Sequence, residues 1–125
     1  MKVAKPAIVI VLICYVAIIT ILLTVKFPSD IISIGIENID KIVHFCFYFG
    51  LNFLLLLLLK IHTAKVSISR IIYITVVSII YGYIMEIIQH YVGRDFDVYD
   101  IISNTAGALT SLIPYYYIKP CFQSK

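Results

Sequence analysis

The chain alternates between four long apolar stretches and short segments that hold nearly all of its charged residues. The apolar stretches cover about residues 7–25, 42–59, 71–92 and 101–118. A helix needs roughly 20 such residues to cross about 30 Å of hydrocarbon. In lipid the backbone must satisfy its own hydrogen bonds, so continuous apolar runs predict helices rather than the alternating strands of a barrel. The pattern predicts an all-α integral membrane protein, with residues 1–125 forming one domain built as a four-transmembrane-helix bundle.

Composition supports lipid as the main solvent of this chain. Hydrophobic residues make up 62% of it and charged residues only 14%, whereas soluble domains are about 45–50% apolar. The first apolar run follows Lys2 and Lys5. It is longer than the apolar core of a signal peptide and no small-residue cleavage site closes it, so we expect a retained transmembrane helix.

The basic residues are unevenly distributed between the two sides of the predicted bundle. Seven of the ten lie in the N-terminal segment, the loop after the second span and the C-terminal segment. All seven acidic residues lie on the other side. Because Lys and Arg in short loops favour the cytoplasmic side, the pattern predicts that both the N-terminus and the C-terminus are cytoplasmic.

Polar residues continue from the acidic side into the second span. Asp40, His44, Tyr48 and Asn52 follow one another at intervals of four residues, which places them on one face of a helix. Lys41 borders the same face. This row is expected to enter the membrane from the extracytoplasmic surface.

The third and fourth spans carry polar residues at matching depth. Glu86 and Gln89 share a face near the outer end of the third span, and Arg94 lies in the charged turn that follows. Asp100 begins the fourth span and Asn104 lies one turn later. Because lipid cannot satisfy such groups, the helices should turn them toward one another. The sequence therefore predicts one extracytoplasmic polar pocket between three helices.

His44 and Glu86 are the strongest candidates for chemistry, since ionisable groups inside membrane spans are functional candidates by default. In an enzyme they would be the catalytic acid–base pair. Helix capping by Asp100 and interhelical hydrogen bonding by Gln89 and Asn104 are the structural alternatives. The predicted ligand-binding residues are Asp40, Lys41, Tyr48, Gln89, Arg94, Asp100 and Asn104.

Other classes of function find little support. No basic run exists that would bind nucleic acid, and no continuous polar path crosses the spans as transport would require. The three cysteines are widely spaced and form no CxxC or metal-ligand pair. We expect no cofactor and no metal, because the sequence has no dense ligand motif. A divalent ion held by His44, Glu86 and Asp100 is the less favoured alternative.

The polar residues also resemble a known family, the VanZ-like family of small bacterial membrane proteins. The resemblance covers about residues 27–111, and its one departure is Ser111, where a second glycine is common. The small serine should still allow close helix packing. The matching pattern is Asp40-Lys41-x-x-His44-Phe45-x-x-Tyr48, Glu86-x-x-Gln89, Arg94 and Asp100-x-x-x-Asn104-x-x-Gly107.

The resemblance implies a multi-pass protein of the bacterial plasma membrane that acts in the cell envelope. It also suggests a link to antibiotic resistance, since the family is named after a protein associated with low-level resistance to the glycopeptide teicoplanin. The implied partners are membrane lipid and a lipid-linked cell-wall precursor or glycopeptide; no oligomeric state follows. Two functions stay open: recognition of a lipid-linked or headgroup-like ligand, and enzymatic acid–base chemistry by His44 and Glu86 on a lipid-linked phosphate or sugar.

Overall fold

A computed structural model describes residues 5–25, 39–63 and 65–118, and all regular structure within these ranges is helical. Three helices are long and apolar enough to cross a membrane. This supports the prediction of an all-α membrane protein. The helices are α1 (Lys5–Thr24), α2 (Ile39–His62), α3 (Ile68–Tyr91), α4 (Val98–Thr110) and α5 (Leu112–Tyr117).

The fourth predicted span is divided between α4 and α5 at Ser111. Pro114 explains the break, because proline lacks an N–H and its ring opposes the carbonyl four residues earlier, here that of Thr110. Backbone hydrogen bonds still cross the junction, from Ser111 N–H to Gly107 O at 3.1 Å and from Tyr115 N–H to Ser111 O at 3.4 Å. Neither short helix alone has the length of a membrane span.

The helices expose apolar side chains and bury polar ones. On α1, Ile10 and Ile13 are 60% and 63% exposed. In contrast, His44, Asn52 and Glu86 are at most 1% exposed. A soluble protein of this size rarely exposes so much apolar surface, so the packing agrees with three helices that are long and apolar enough to cross a membrane.

Contacts between helix ends show how the helices are arranged. At one end, the Lys60 ammonium group on α2 donates a hydrogen bond of 2.6 Å to the carbonyl of Ile118, just after α5. At the opposite end, the Gln89 amide on α3 donates a hydrogen bond of 3.0 Å to the carbonyl of Leu23 near the end of α1. Arg94, just after α3, is 3.5 Å from Asp40 at the start of α2, so α2 runs in the opposite direction to α1 and α3.

The backbones of α2 and α4 approach each other closely at Gly107. A Cβ atom added there would overlap the carbonyl oxygen of Phe45 and lie 3.0 Å from the backbone nitrogen of Phe49. One turn further along, the Asn52 amide donates hydrogen bonds of 2.9 Å to the carbonyl of Ala108 and to the hydroxyl of Ser111. This small-residue contact holds the second half of α4 against α2, within one turn of Asn104.

Candidate functional site

The predicted site residues come from the start of α2, the end of α3 and the start of α4. Gly93 ends α3 with a φ of 86°, a left-handed conformation that favours glycine. The chain then turns back, and Asp97 caps α4 by accepting a hydrogen bond of 2.8 Å from the N–H of Tyr99. This short turn brings the acidic start of α4 beside the acidic start of α2.

A partly exposed layer of ion pairs lies at the rim of the site. The Lys41 ammonium group is 2.7 Å from a carboxylate oxygen of Asp97 and 3.5 Å from Oδ1 of Asp100. The Arg94 guanidinium group is 3.5 Å from Oδ1 of Asp40. The Lys41 and Arg94 side chains are 28% and 25% exposed, so both cations remain accessible from outside.

Asp97 is held in its ionised form. The hydrogen bond from Lys41, together with that from the backbone N–H of Tyr99, lowers the pKa of the Asp97 carboxyl below its ordinary value of 3.8. The Lys41–Asp97 pair is therefore charged on both sides at neutral pH.

His44 lies directly beneath this rim and is 1% exposed. Its Nδ1 is 3.0 Å from the amide oxygen of Asn104. An amide oxygen only accepts hydrogen bonds, so this contact requires the proton on Nδ1. The other ring nitrogen, Nε2, is 3.8 Å from Asp40 Oδ1 and 3.8 Å from Asp100 Oδ2. The imidazole is thus oriented so that Nε2 faces two carboxylates.

Glu86 is completely buried behind the turn that precedes α4. Its Oε1 accepts a hydrogen bond of 3.0 Å from the backbone N–H of Asp97. Its Oε2 has no hydrogen-bond partner among the described residues, and neither do the Tyr48 hydroxyl and the Asn104 amide nitrogen. A buried polar atom without a partner costs about 1–3 kcal/mol. These atoms therefore indicate where water or a ligand group would be stabilised.

The cluster is also tied to α1 through a single backbone oxygen. The carbonyl of Leu23 accepts hydrogen bonds of 3.0 Å from both the Gln89 amide and the Arg94 guanidinium group. Gln89 is 1% exposed, so its amide joins helices as the structural alternative predicted. Arg94 bridges α1 and the aspartate at the start of α2.

The structure brings six of the nine predicted site residues into side-chain contact and places the other three at the edge of the cluster. Glu86 reaches it through the backbone of Asp97, and Gln89 turns toward α1. Tyr48 lies one turn deeper, with its ring 3.0 Å from the position of a Cβ on Gly82. The residues in mutual side-chain contact are Asp40, Lys41, His44, Arg94, Asp100 and Asn104.

Two contributors were not identified from the sequence. Asp97, rather than Asp100, caps α4; an Asp three residues before a predicted helix start is a readable capping signal. The role of the Leu23 carbonyl could not be predicted, because every residue has a backbone oxygen and the sequence does not show which one accepts a hydrogen bond.

Asp40, His44 and Asp100 each offer one metal-ligand atom, and these three atoms lie within 4.8 Å of one another. The less favoured metal arrangement considered from the sequence used Glu86 as the third ligand. In the structure Asp40 takes that place, because it lies one helical turn before His44 on the same face of α2.

An apolar recess lies deeper in the protein, between α1, α2 and α3. It is separate from the polar cluster and contains one buried hydroxyl, that of Ser78. This recess does not test the predicted polar pocket at the extracytoplasmic surface, which remains a prediction. The recess is lined by Val16, Leu51, Leu55, Val77, Ser78 and Tyr81.

A family model described as VanZ/LLP1 matches residues 8–119. The matched range contains every residue of the polar cluster and confirms the resemblance drawn from its motifs. No curated protein and no solved structure matches the chain significantly.

Proposed function

Because the chain belongs to the VanZ/LLP1 family, we propose that it is a multi-pass protein of the bacterial plasma membrane that binds a headgroup at its extracytoplasmic surface. Family membership is consistent with a cell-envelope membrane protein linked to teicoplanin resistance. The proposed ligand is the polar part of a lipid or of a lipid-linked cell-wall precursor. A glycopeptide is the third ligand that the same assay can test.

In this proposal α4 and α5 together form the fourth span. They cover 20 residues, Val98–Thr110 and Leu112–Tyr117 with Ser111 between them, about 30 Å at helical rise. The basic residues then place both termini in the cytoplasm and the cluster outside. Lys60 is 2.6 Å from the carbonyl of Ile118, which supports a common side for the end of α2 and the C-terminal segment.

The observation that carries the proposal is a pair of accessible cations above buried polar atoms that lack hydrogen-bond partners. Lys41 and Arg94 can bind phosphate or carboxylate oxygens, and Arg can do so with two parallel hydrogen bonds. Below them, Glu86 Oε2 and the Tyr48 hydroxyl are buried without hydrogen-bond partners. A ligand with a phosphate and neighbouring hydroxyl or amine groups would complement both layers.

Binding can be measured with the protein reconstituted in nanodiscs and fluorescent lipid-linked precursor, anionic lipid headgroups or teicoplanin. Arg94→Gln should weaken binding about 10- to 100-fold, the equivalent of a charged hydrogen bond of about 1.5–3 kcal/mol. Arg70→Gln is the matched control, because Arg70 is exposed at the opposite end of α3. Equal affinity of both variants and the unmodified protein for every ligand would refute headgroup binding at this site.

A membrane enzyme is the second candidate, favoured by one observation. Glu86 has a carboxyl oxygen that is buried and unpartnered, while His44 presents Nε2 to the same cluster. Such a pair could transfer protons on a lipid-linked phosphate or sugar. Turnover of labelled precursor that disappears in Glu86→Gln, with the thermal stability retained, would establish the enzyme. Saturable binding without turnover would establish the binding protein.

The family link suggests a cellular test. Overexpression in a Gram-positive host should change the inhibitory concentration of teicoplanin, and Arg94→Gln should reduce the change while Arg70→Gln preserves it. An unchanged inhibitory concentration despite verified membrane expression would separate this chain from the resistance phenotype.

A further inference from the structure

We propose that Asp40, His44 and Asp100 form a binding site for one divalent transition-metal ion. Two carboxylates and one imidazole are the ligand types that Zn²⁺ and Mn²⁺ accept in proteins. The two aspartates come from different helices, α2 and α4, and the histidine lies between them. The site overlaps the proposed headgroup site but does not require it, since metal binding is measured without any lipid ligand.

The orientation of His44 is the first argument. Its Nδ1 contacts the Asn104 amide oxygen at 3.0 Å, so Nδ1 carries a proton and Nε2 points at Asp40 and Asp100. Metal-binding histidines almost always donate the second ring N–H to an oxygen in this way, which fixes the ring and its tautomer. Asn104 would be that outer partner.

Burial is the second and independent argument. His44 Nε2 is buried and has no hydrogen-bond partner among the described residues. A buried ring nitrogen that faces two carboxylate oxygens at 3.8 Å is stabilised by a positive charge placed between them. A cation bound between the three atoms would supply that charge.

Distances agree with a metal held after a small adjustment. Zn²⁺ bonds to nitrogen and oxygen are about 2.0–2.2 Å, so tetrahedral ligand atoms are separated by about 3.4 Å. Each carboxylate oxygen is 3.8 Å from His44 Nε2, so these two distances must each shorten by about 0.4 Å; all three ligand atoms lie within 4.8 Å of one another. The Asp40 side chain is 47% exposed and can supply much of this movement.

The charge of the cluster also favours a divalent ion. Among the residues that the structure describes, the cluster holds four carboxyl groups, those of Asp40, Glu86, Asp97 and Asp100, and two permanently charged cations, Lys41 and Arg94. With every carboxyl ionised the excess would be two negative charges, which one divalent ion neutralises. Three protein ligands also leave an open coordination position, which in catalytic zinc sites takes water or substrate.

The test uses full-length protein in detergent, purified without a polyhistidine tag. The cysteines are replaced by alanine, and His62 and His90 by glutamine, so that His44 is the remaining imidazole. After treatment with a chelator, the protein is dialysed against Zn²⁺ and, separately, against Mn²⁺. We expect about one ion per chain by mass spectrometry, and a rise in the melting temperature that saturates at the same ratio.

Two near-isosteric variants distinguish coordination from simple attraction of cations. Asp40→Asn and Asp97→Asn each remove one negative charge from the same cluster, but only Asp40 belongs to the proposed ligand set. Asp40→Asn should weaken Zn²⁺ binding by at least about tenfold, whereas Asp97→Asn should change it less than about threefold. Substituted Co²⁺ should show visible absorption bands that Asp40→Asn alters and Asp97→Asn preserves.

Three results would overturn the inference. One is the absence of saturable Zn²⁺ or Mn²⁺ binding by the variant that retains His44 as its imidazole. This result does not depend on whether the variants of the ligand residues fold. Another is equal loss of affinity in both aspartate variants. The third is full Zn²⁺ affinity in His44→Gln. Headgroup binding that persists in chelator-treated protein would retain the proposed function while removing any role of the metal in it.

Discussion

Replacing Gly107 by alanine tests whether the close contact of α2 and α4 positions the polar cluster. The added Cβ would meet the backbone of Phe45 and Phe49, and backbone cannot rotate aside as a side chain does. The two helices must therefore separate locally. His44 and Asn104 lie one turn away on these same helices, so their hydrogen bond should lengthen with the separation.

The magnitude follows from these distances. The Cβ would lie 3.0 Å from Phe49 N, against ordinary contacts of about 3.5–4.0 Å, so the helices must move apart by at least about 0.5 Å. The His44–Asn104 distance of 3.0 Å would then approach about 3.5 Å, where a hydrogen bond is largely lost. Overpacking costs about 1–3 kcal/mol and the lost hydrogen bond about 1 kcal/mol. Better helix propensity returns about 1 kcal/mol, which leaves a net loss of about 1–3 kcal/mol.

The assay is unfolding by sodium dodecyl sulfate in mixed micelles, followed by circular dichroism. Gly50→Ala is the matched control, because the atoms nearest its Cβ belong to the end of the Tyr15 side chain rather than to backbone. If that side chain moves, its hydrogen bond of 2.9 Å to the Phe47 carbonyl is lost, at a cost of about 1 kcal/mol that better helix propensity offsets. We expect the control to stay within about 1 kcal/mol of the unmodified protein. In ¹⁵N-histidine spectra, the His44 Nδ1–H signal should shift in Gly107→Ala alone. A Gly107→Ala protein as stable as the control, with that signal unchanged, would refute the reasoning.

Three further predictions address other parts of the chain. In the same unfolding assay, Asn52→Ala should lose about 1–2 kcal/mol, because its amide bonds the Ser111 hydroxyl and a carbonyl of α4; no loss would contradict its bridging role. The folded-state pKa of Asp97 is lowered, so its contribution to stability should be complete above pH 3.8 and disappear as the pH falls through the folded pKa. The free energies of unfolding of the unmodified protein and of Asp97→Asn should therefore differ at pH 6 and converge in acid. In a cysteine-free chain in intact cells, Asp95→Cys should react with an impermeant thiol reagent and Ser67→Cys should not; the reverse pattern would invert the topology.

The polar row of α2 was predictable because helical periodicity alone determines which residues share a face. Asp40, His44, Tyr48 and Asn52 are four residues apart, and the structure directs the last three into the protein interior. Apolar length likewise predicted the three long helices. Neither inference needed knowledge of tertiary contacts.

The break in the fourth predicted span could have been predicted from Pro114, but the length and apolar composition of the stretch favoured one continuous helix. The stretch is long enough and contains no charged residue, yet Pro114 removes a backbone donor and α4 ends at Thr110. The partners of charged residues were not readable, since Lys41 joins Asp97 across 56 positions of sequence. Such pairing depends on how the turn after α3 folds back.

The hydrogen bonds to the Leu23 carbonyl have a consequence for how this protein tolerates change. A peptide oxygen is present whatever side chain is attached to it, so replacing Leu23 with another buried apolar residue should leave the acceptor for Gln89 and Arg94 in place. Inserting or deleting one residue earlier in α1 is different, because it rotates the helix end by about 100° and carries the oxygen away from both donors. The first helix should therefore accept many substitutions but very few changes of length.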